Sequence, residues 1–255
     1  MRRLKNLCTV LILFLLLAVA ALARPWVVAH RGGSALGPEN SLENFQKALE
    51  LGVDAIELDI HQSADGHLMV IHDISLKRTH GVDKRVDELD LTALQGYGVP
   101  TLQEAIDLVD GRCVLVVEVK HPKGSRHQGI ERRLVDLLAE NELTTSALVI
   151  SFDSVTLKRV HEIEPSIKTG FLYRIPTVLA DSAKKEMGVS YLCPHYLLAT
   201  PSMIKKAHAD GLKVNTWTVN EEKVMKRLME SECDTVTTDH PDVLKRVLQE
   251  PMLLK

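Results

Sequence analysis

The sequence predicts an α/β chain closed into a parallel (β/α)8 barrel of TIM type, and three observations predict it. Short apolar runs alternate with amphipathic stretches eight times between Trp26 and Glu250. No linker, internal repeat or low-complexity tract interrupts the alternation. A length of 255 residues suits one barrel built around a single core. Right-handed crossovers would join the successive parallel strands into a ring, with a doubly wound open sheet as the rival arrangement. Residues 24–255 are therefore expected to form one domain.

Residues 1–23 read as a signal peptide. Arg2, Arg3 and Lys5 precede an apolar run from Leu7 to Leu22, and Ala21-Leu22-Ala23 supplies a small-residue cleavage site before Arg24-Pro25. The alternative is an uncleaved membrane anchor, for which the run is at the short end. Cys8 stands at the front of that run, which does not suit lipid attachment. Leader removal leaves Cys113, Cys193 and Cys233, an odd set without C-x-x-C spacing that reads as neither a disulfide framework nor a zinc site. The expected location is the bacterial envelope, periplasmic or secreted, with no stable membrane span once the leader is gone.

In chain order, the strands are expected at Trp26 to His30, Ala55 to Ile60, Cys113 to Glu118, Ala147 to Ser151, Lys168 to Leu172, Tyr191 to Cys193, Lys213 to Thr218 and Asp234 to Thr237. The helices between and after them are expected at Ser41 to Leu51, Leu102 to Asp110, Gln128 to Asn141, Ser154 to Ile163, Val178 to Met187, Pro201 to Asp210, Asn220 to Glu230 and Pro241 to Glu250. Local signals mark several boundaries. Asn40-Ser41 starts a helix that Gly52 stops, and Thr101-x-x-Glu104 has the form of a capping box. The Asp-Gly turn between Ser63 and Gly66 sends the next residues back beside the second strand, a short hairpin inserted in the barrel rhythm. That return would carry His72 toward the second strand. The stretch from Ile74 to Val99, rich in Asp, Lys and Arg, reads as a loop excursion over the barrel mouth.

Charge and composition exclude some functions. A formal charge of -3 with no basic run in the folded part points away from nucleic acid and from an acidic membrane surface. A small-molecule substrate is the expected partner.

The sharpest chemical feature is Glu57-Leu58-Asp59, where acidic and apolar residues alternate on a strand. Side chains two apart on a strand share a face, so the two carboxylates stand side by side. At about 6 Å and an effective dielectric near 20, their repulsion is roughly 2 to 3 kcal/mol. A cation or a proton must offset it. Glu118 ends the next long apolar strand, the end at which a barrel places its active site. Three oxygen ligands without a thiolate or a histidine cluster favour one divalent metal ion, Mg²⁺ or Ca²⁺.

Other residue types in the chain complete a phosphoryl-transfer set. His30, after Val27-Val28-Ala29, and His72 could serve as acid and base in either order. Arg31, ahead of Gly32-Gly33, could fork two phosphate oxygens, or it could be a surface ion-pair partner. Lys120 shares the parity of Glu118 and would balance the carboxylates, or it could be a solvated lysine. Trp217 either packs in the core or lines the mouth. Glu39 and Asn40 are either part of a helix start or support to metal and substrate hydroxyls. The remaining histidines, His61, His121 and His127 among them, are read as surface residues.

His30-Arg31-Gly32, Pro38-Glu39-Asn40-Ser41, Glu57-Leu58-Asp59 and His72-Asp73 occur in the order and spacing of the glycerophosphodiester phosphodiesterase family. Glu118-Val119-Lys120, Ser151-Phe152-Asp153, Trp217-Thr218-Val219-Asn220 and Thr238-Asp239-x-Pro241 resemble its later motifs, so the resemblance spans essentially the whole chain after the leader. It implies a (β/α)8 barrel that hydrolyses glycerophosphodiesters to glycerol 3-phosphate and an alcohol with a divalent metal. Carried over position by position, Glu57, Asp59 and Glu118 match the metal ligands and His30 and His72 the acid/base pair. Arg31 and Lys120 match phosphate contacts, and Trp217 matches an aromatic at the glycerol end. Two rival expectations stand beside this one: a phospholipase D-like enzyme acting on lysophospholipids, and a non-catalytic envelope binding protein.

Overall fold

A computed structural model describes residues 24–175 and 180–249. The expected leader, the first residues of the helix expected from Val178, and Glu250 at the end of the last helix lie outside the described residues. The strands are β1 Trp26–Ala29, β2 Ala55–Gln62, β3 Leu68–Val70, β4 Val114–Val119, β5 Leu148–Ser151, β6 Lys168–Tyr173, β7 Tyr191–Pro194, β8 Lys213–Thr216 and β9 Thr235–Thr238. All except β3 are parallel and pair in the ring β1-β2-β4-β5-β6-β7-β8-β9, which β9 closes against β1. This is the (β/α)8 barrel expected from the sequence. A helix follows each ring strand, because only a crossover of that length can return the chain to start a parallel neighbour.

Apolar side chains account for the two layers. Val28, Ala55, Val116, Ile150, Leu172 and Cys193 fill the inside of the ring, while Val27, Ile56, Leu58, Val117 and Val149 face the helices. Alternation along a strand sends neighbours to opposite layers. The helix Leu42–Leu51 begins at Ser41, whose hydroxyl accepts from the Asn44 N–H, and ends where Gly52 takes a left-handed φ of 70°. The helix Leu102–Val109 carries the full Thr101–Glu104 capping box.

Three local differences from the sequence reading bear on the site. β1 stops at Ala29, because His30–Gly32 turn tightly in a 3₁₀ conformation instead of extending the strand. β2 runs on to Gln62 and pairs with β3 through Ile60–Val70, His61–Met69 and Gln62–Leu68. Since β4 occupies the other edge of β2, β1 and β3 must share one edge, β1 at Ala55–Ile56 and β3 from Ile60 onward. Lastly, the stretch from Ile74 to Val99 is not a bare loop. It carries helices at Lys77–His80 and Leu91–Gly96 and packs Leu76, Val86, Leu94 and Val99 onto Met69 and Ile71 as a small core of its own. Each such buried aliphatic contributes roughly 1.5 to 3 kcal/mol before chain entropy, which explains the order in so charged a segment. Among the described residues, no helix is long and apolar enough to cross a membrane.

Candidate active site

The site lies at the carboxyl ends of the strands, and strand register builds its floor. Asp59 on β2 pairs directly with Glu118 on β4, and Glu57 points the same way two residues earlier. Glu57 and Asp59 are 1% and 0% exposed and Glu118 is 7% exposed, so water does little to screen them. One oxygen from each lies within 4.8 Å of the others. Lys120 Nζ sits 2.6 Å from Glu118 Oε1 and 3.1 Å from Asp59 Oδ1, and Arg31 Nε is 3.4 Å from Asp59 Oδ2. Even so, Glu118 Oε1 and Asp59 Oδ1 are buried without a well-directed hydrogen bond, a cost proteins seldom leave unanswered.

The carboxylates do not share the strain equally. Asp59 is held well below the usual carboxylate range: burial works against ionisation, but the charges of Lys120, His72 and Arg31 and the Asn40 amide overcome it. Glu57 is pushed up to about 8 by burial and then by Asp59, and Glu118 is raised by burial and Asp59 despite Lys120. Fully ionised, the three carboxylates would outnumber the two cations against them, Lys120 and Arg31. Their converging oxygens can bind a divalent metal ion.

The turn after β1 wraps this floor. Arg31 and Asn40 both take left-handed backbone conformations, with φ of 51° and 55°, which cost about 1 to 2 kcal/mol each for a residue with a side chain. The strain aims polar groups at the floor. Arg31 N–H donates to Glu57 Oε2 at 2.8 Å, while the Asn40 amide donates to Asp59 Oδ2 at 2.8 Å and accepts from the Asp59 N–H at 3.2 Å. Gly32 and Gly33 have φ of 83° and 82°, and a Cβ at Gly32 would meet Phe45 at 2.6 Å. These glycines serve the turn and its packing on the following helix.

Two histidines flank the floor, each on a carboxylate. His30 Nδ1 is 2.6 Å from Asp239 Oδ1, and its Nε2 is 4.0 Å from Glu57 Oε2. Burial pulls the imidazole down, but the Asp239 hydrogen bond and the Glu57 charge outweigh it and leave His30 above its ordinary value. His72 arrives as the hairpin reading expects. The Ile71 N–H donates to the Asp59 carbonyl at 2.9 Å, and His72 Nδ1 lies 2.7 Å from Asp73 Oδ1. His72 is lowered by burial, with Asp59 opposing and the charges of Lys120 and Arg31 assisting.

The model of the glycerophosphoryl diester phosphodiesterase family matches residues 30–243, from the first histidine of the site to the start of the last helix. The chain belongs to that family. It is 31% identical over 238 residues to the glycerophosphodiester phosphodiesterase of Caldanaerobacter subterraneus, covering 88% of this chain and 98% of that one. Two solved structures are similar in fold and sequence. A phosphodiesterase from Oleispira antarctica, in complex with the product sn-glycerol-3-phosphate, superposes with a TM-score of 0.78 at 25% identity over 91% of this chain and 99% of that one. A glycerophosphodiester phosphodiesterase from Parabacteroides distasonis does so with a TM-score of 0.76 at 25% identity over 89% and 97%.

In this member of the family, Trp217 stands just past β8, across the ring from β2 and β4. Its indole N–H donates to the Cys193 carbonyl at 2.7 Å, its ring meets Phe152 edge to face at 5.3 Å, and the Arg174 guanidinium lies 5.1 Å from the ring centre. It is partly buried and lines the mouth. All eight residues singled out in the sequence lie on this face of the barrel, with Trp217 forming a wall apart from the other seven.

Of the residues that hold those eight, sequence reasoning weighed Glu39 and Asn40 and gave no role to the rest. Asp239 supports His30 and is itself fixed by Ser34 Oγ at 2.6 Å and by Asn220 Nδ2 at 2.6 Å. Arg78 bonds Asp73 at 2.5 Å and Glu39 at 2.6 Å, and Glu39 accepts from Arg31 at 3.1 Å. The reading of His61 and His127 as surface residues is corrected: they are 2% and 6% exposed. His61 continues the inward face of β2, and its Nε2 lies 3.1 Å from the His72 carbonyl oxygen.

Proposed function

We propose that this protein hydrolyses glycerophosphodiesters to glycerol 3-phosphate and an alcohol with a divalent metal ion, Mg²⁺ or Ca²⁺. The observation that carries the reading is the buried, converging triad of Glu57, Asp59 and Glu118 between two carboxylate-paired histidines. The ion, held by those three carboxylates, would supply positive charge to the phosphoryl oxygens as charge builds in the transition state. Arg31 and Lys120 would add theirs from the same side. One imidazole of the His30 and His72 pair takes the proton of the attacking oxygen, which is either a water or the neighbouring glycerol hydroxyl, the latter giving a cyclic phosphate that water then opens to glycerol 3-phosphate. The other protonates the alcohol oxygen as its bond to phosphorus breaks. The Oleispira antarctica relative, solved with sn-glycerol-3-phosphate as product, supports the product named here. Trp217, with Phe152 at its edge, offers an apolar wall for the carbons of the glycerol.

The deciding assay follows glycerol 3-phosphate release from glycerophosphocholine before and after a chelator. The expected result is loss of turnover and recovery on adding Mg²⁺ or Ca²⁺, whichever restores more being the working ion. Turnover undiminished by the chelator would remove the metal from the reaction.

A second reading has an observation in its favour. Phe152, Ile175 and Leu197 are exposed on the loops after β5, β6 and β7, on the face that bears the site. Such a rim suits an acyl chain, and release of lysophosphatidic acid from lysophosphatidylcholine would establish lysophospholipid hydrolysis. The location proposed is the bacterial envelope, on the strength of the leader at residues 1–23. N-terminal sequencing of the protein recovered from an envelope fraction should begin near Arg24, and a chain still starting at Met1 would replace cleavage with anchoring.

A further inference from the structure

Beside the acidic triad lies an open cleft of about 630 Å³, a size suited to a small ligand. Its lining includes His72, Lys77 and Arg78 from the segment after β3, and Lys120, His121 and Lys123 from the segment after β4. Four cations line it against one carboxylate, Asp73. The pairing of those charges matters more than their number. Arg78 is occupied by Asp73 and Glu39, and Lys120 by Glu118 and Asp59. Lys77 faces only Asp83, at 3.6 Å, where both side chains are more than 70% exposed. Lys123 makes no ion pair among the described residues. The cleft therefore carries one ammonium group without an ion-pair partner among the described residues, Lys123, and one, Lys77, held only by an exposed contact with Asp83 that an incoming anion can displace.

A phosphodiester whose phosphorus sits over the triad sends its two substituents different ways. The wall of Trp217 and Phe152 across the ring, with the Arg174 guanidinium lying over both rings, offers aromatic surface to the carbons of the glycerol and a donor to its hydroxyls. The cleft is left for the other substituent. Resting on the hydrolase reading above, we propose that this cleft receives the alcohol of the diester, and that the enzyme prefers alcohols bearing a second anion, a phosphomonoester above all. Lys77 and Lys123 would bind that anion from either side as point charges, favouring capture and orientation over the chemical step.

The test compares two substrates that differ by one phosphate: glycerophosphoglycerol and glycerophosphoglycerol phosphorylated on its terminal hydroxyl. Loss of the diester phosphorus signal gives kcat and KM for the intact protein and for the K77Q/K123Q variant. For the intact protein at low salt, kcat/KM should be about tenfold higher for the phosphorylated substrate, mostly through KM. The ratio should fall to within about twofold in the variant, and likewise in about 1 M salt, where charges are screened within about 3 Å. Glycerophosphoglycerol should be hydrolysed equally well by both proteins, which also shows that the variant is folded. Equal kcat/KM for the two substrates in the intact protein, or a preference that survives K77Q/K123Q, overturns the inference and leaves the hydrolase reading standing. Hydrolysis of neither substrate by the intact protein overturns the hydrolase reading itself, and the inference with it.

Discussion

The two histidines of the site belong to different parts of the molecule, and their surroundings differ accordingly. His30 stands on the barrel, one residue past β1, and its partner Asp239 is one residue past β9. Asp239 is held by neutral donors, the Ser34 hydroxyl and the Asn220 amide, so its charge stays available to the imidazole. His72 stands on the inserted segment past β3, and its partner Asp73 is shared with Arg78, which also ties down Glu39. The same pairing of His and Asp thus gives opposite results: His30 is raised and His72 lowered. For His30, burial is overcome by the Asp239 hydrogen bond and the Glu57 charge. For His72, burial prevails with the charges of Lys120 and Arg31 beside it, and the Asp73 hydrogen bond is the weakest of the influences on the ring. The barrel supplies a buried, charged floor, and the insertion supplies a more exposed lip.

The largest expected effect lies in the floor. Glu118→Gln keeps the shape of the side chain but removes the negative charge of one of the three converging groups, the charge that Lys120 meets at 2.6 Å. The expected loss is about a thousandfold in kcat, with divalent-ion affinity down by a hundredfold or more, judged from the several kcal/mol a Lewis acid supplies. Titration calorimetry with Mg²⁺ and Ca²⁺ beside steady-state kinetics checks both quantities. A variant that keeps its ion affinity would detach the triad from the metal.

Next come the two histidine partners, which test the comparison directly. Asp239→Asn should cost about a hundredfold in kcat, within the range a positioned acid or base supplies. Asp73→Asn should cost only about tenfold, because the Asp73 hydrogen bond is the weakest of the influences on His72. The pH profile separates positioning from simple structural damage. The limb that belongs to His30 should move to lower pH in Asp239→Asn, since the hydrogen bond that raises it has lost its charge. Equal losses in the two variants would mean that floor and lip contribute alike.

The same division marks what the sequence made legible. Glu57, Asp59 and Glu118 could be read because the two-residue period and an apolar strand fix both face and end. His72 could be placed because an Asp-Gly turn forces the chain back along β2. Asp239 could not be linked to His30, because 209 residues separate them and only closure of the ring brings β9 beside β1. Nor could the left-handed conformations of Arg31 and Asn40 be read, since no glycine marks either position. The charged stretch after Ile74 hid its small core because its apolar residues follow neither helical nor strand period over a useful length. His61 is the instructive miss. It shares the parity of Glu57 and Asp59, so the period that placed them also placed it on the inner face.

That residue joins floor to lip, and the smallest predicted effect concerns it. The His72 carbonyl can only accept, so the 3.1 Å contact requires the proton of His61 on Nε2. Its Nδ1 lies 2.9 Å from His127 Nε2, which also faces the Gln62 N–H at 3.4 Å. Burial, followed by the neighbouring His127, disfavours a second proton on His61 and lowers the ring to about 3. Unfolded, it titrates near 6.5, so between those values the unfolded chain binds more protons and stability rises with pH. Acidification to pH 5 should therefore remove about 2 kcal/mol through His61, the product of 1.5 pH units and 1.36 kcal/mol per unit. Glu57 and Glu118, raised in the fold, act in the opposite direction, which makes the total slope uninformative and the difference between variants decisive. Urea midpoints for the intact protein and for His61→Gln across pH 5 to 8 isolate it. The two curves should run parallel above pH 7 and converge below 6.5 as the intact protein loses the advantage of a neutral ring. Curves that stay parallel to pH 5 would place the acid sensitivity elsewhere and break the proposed joint between floor and lip.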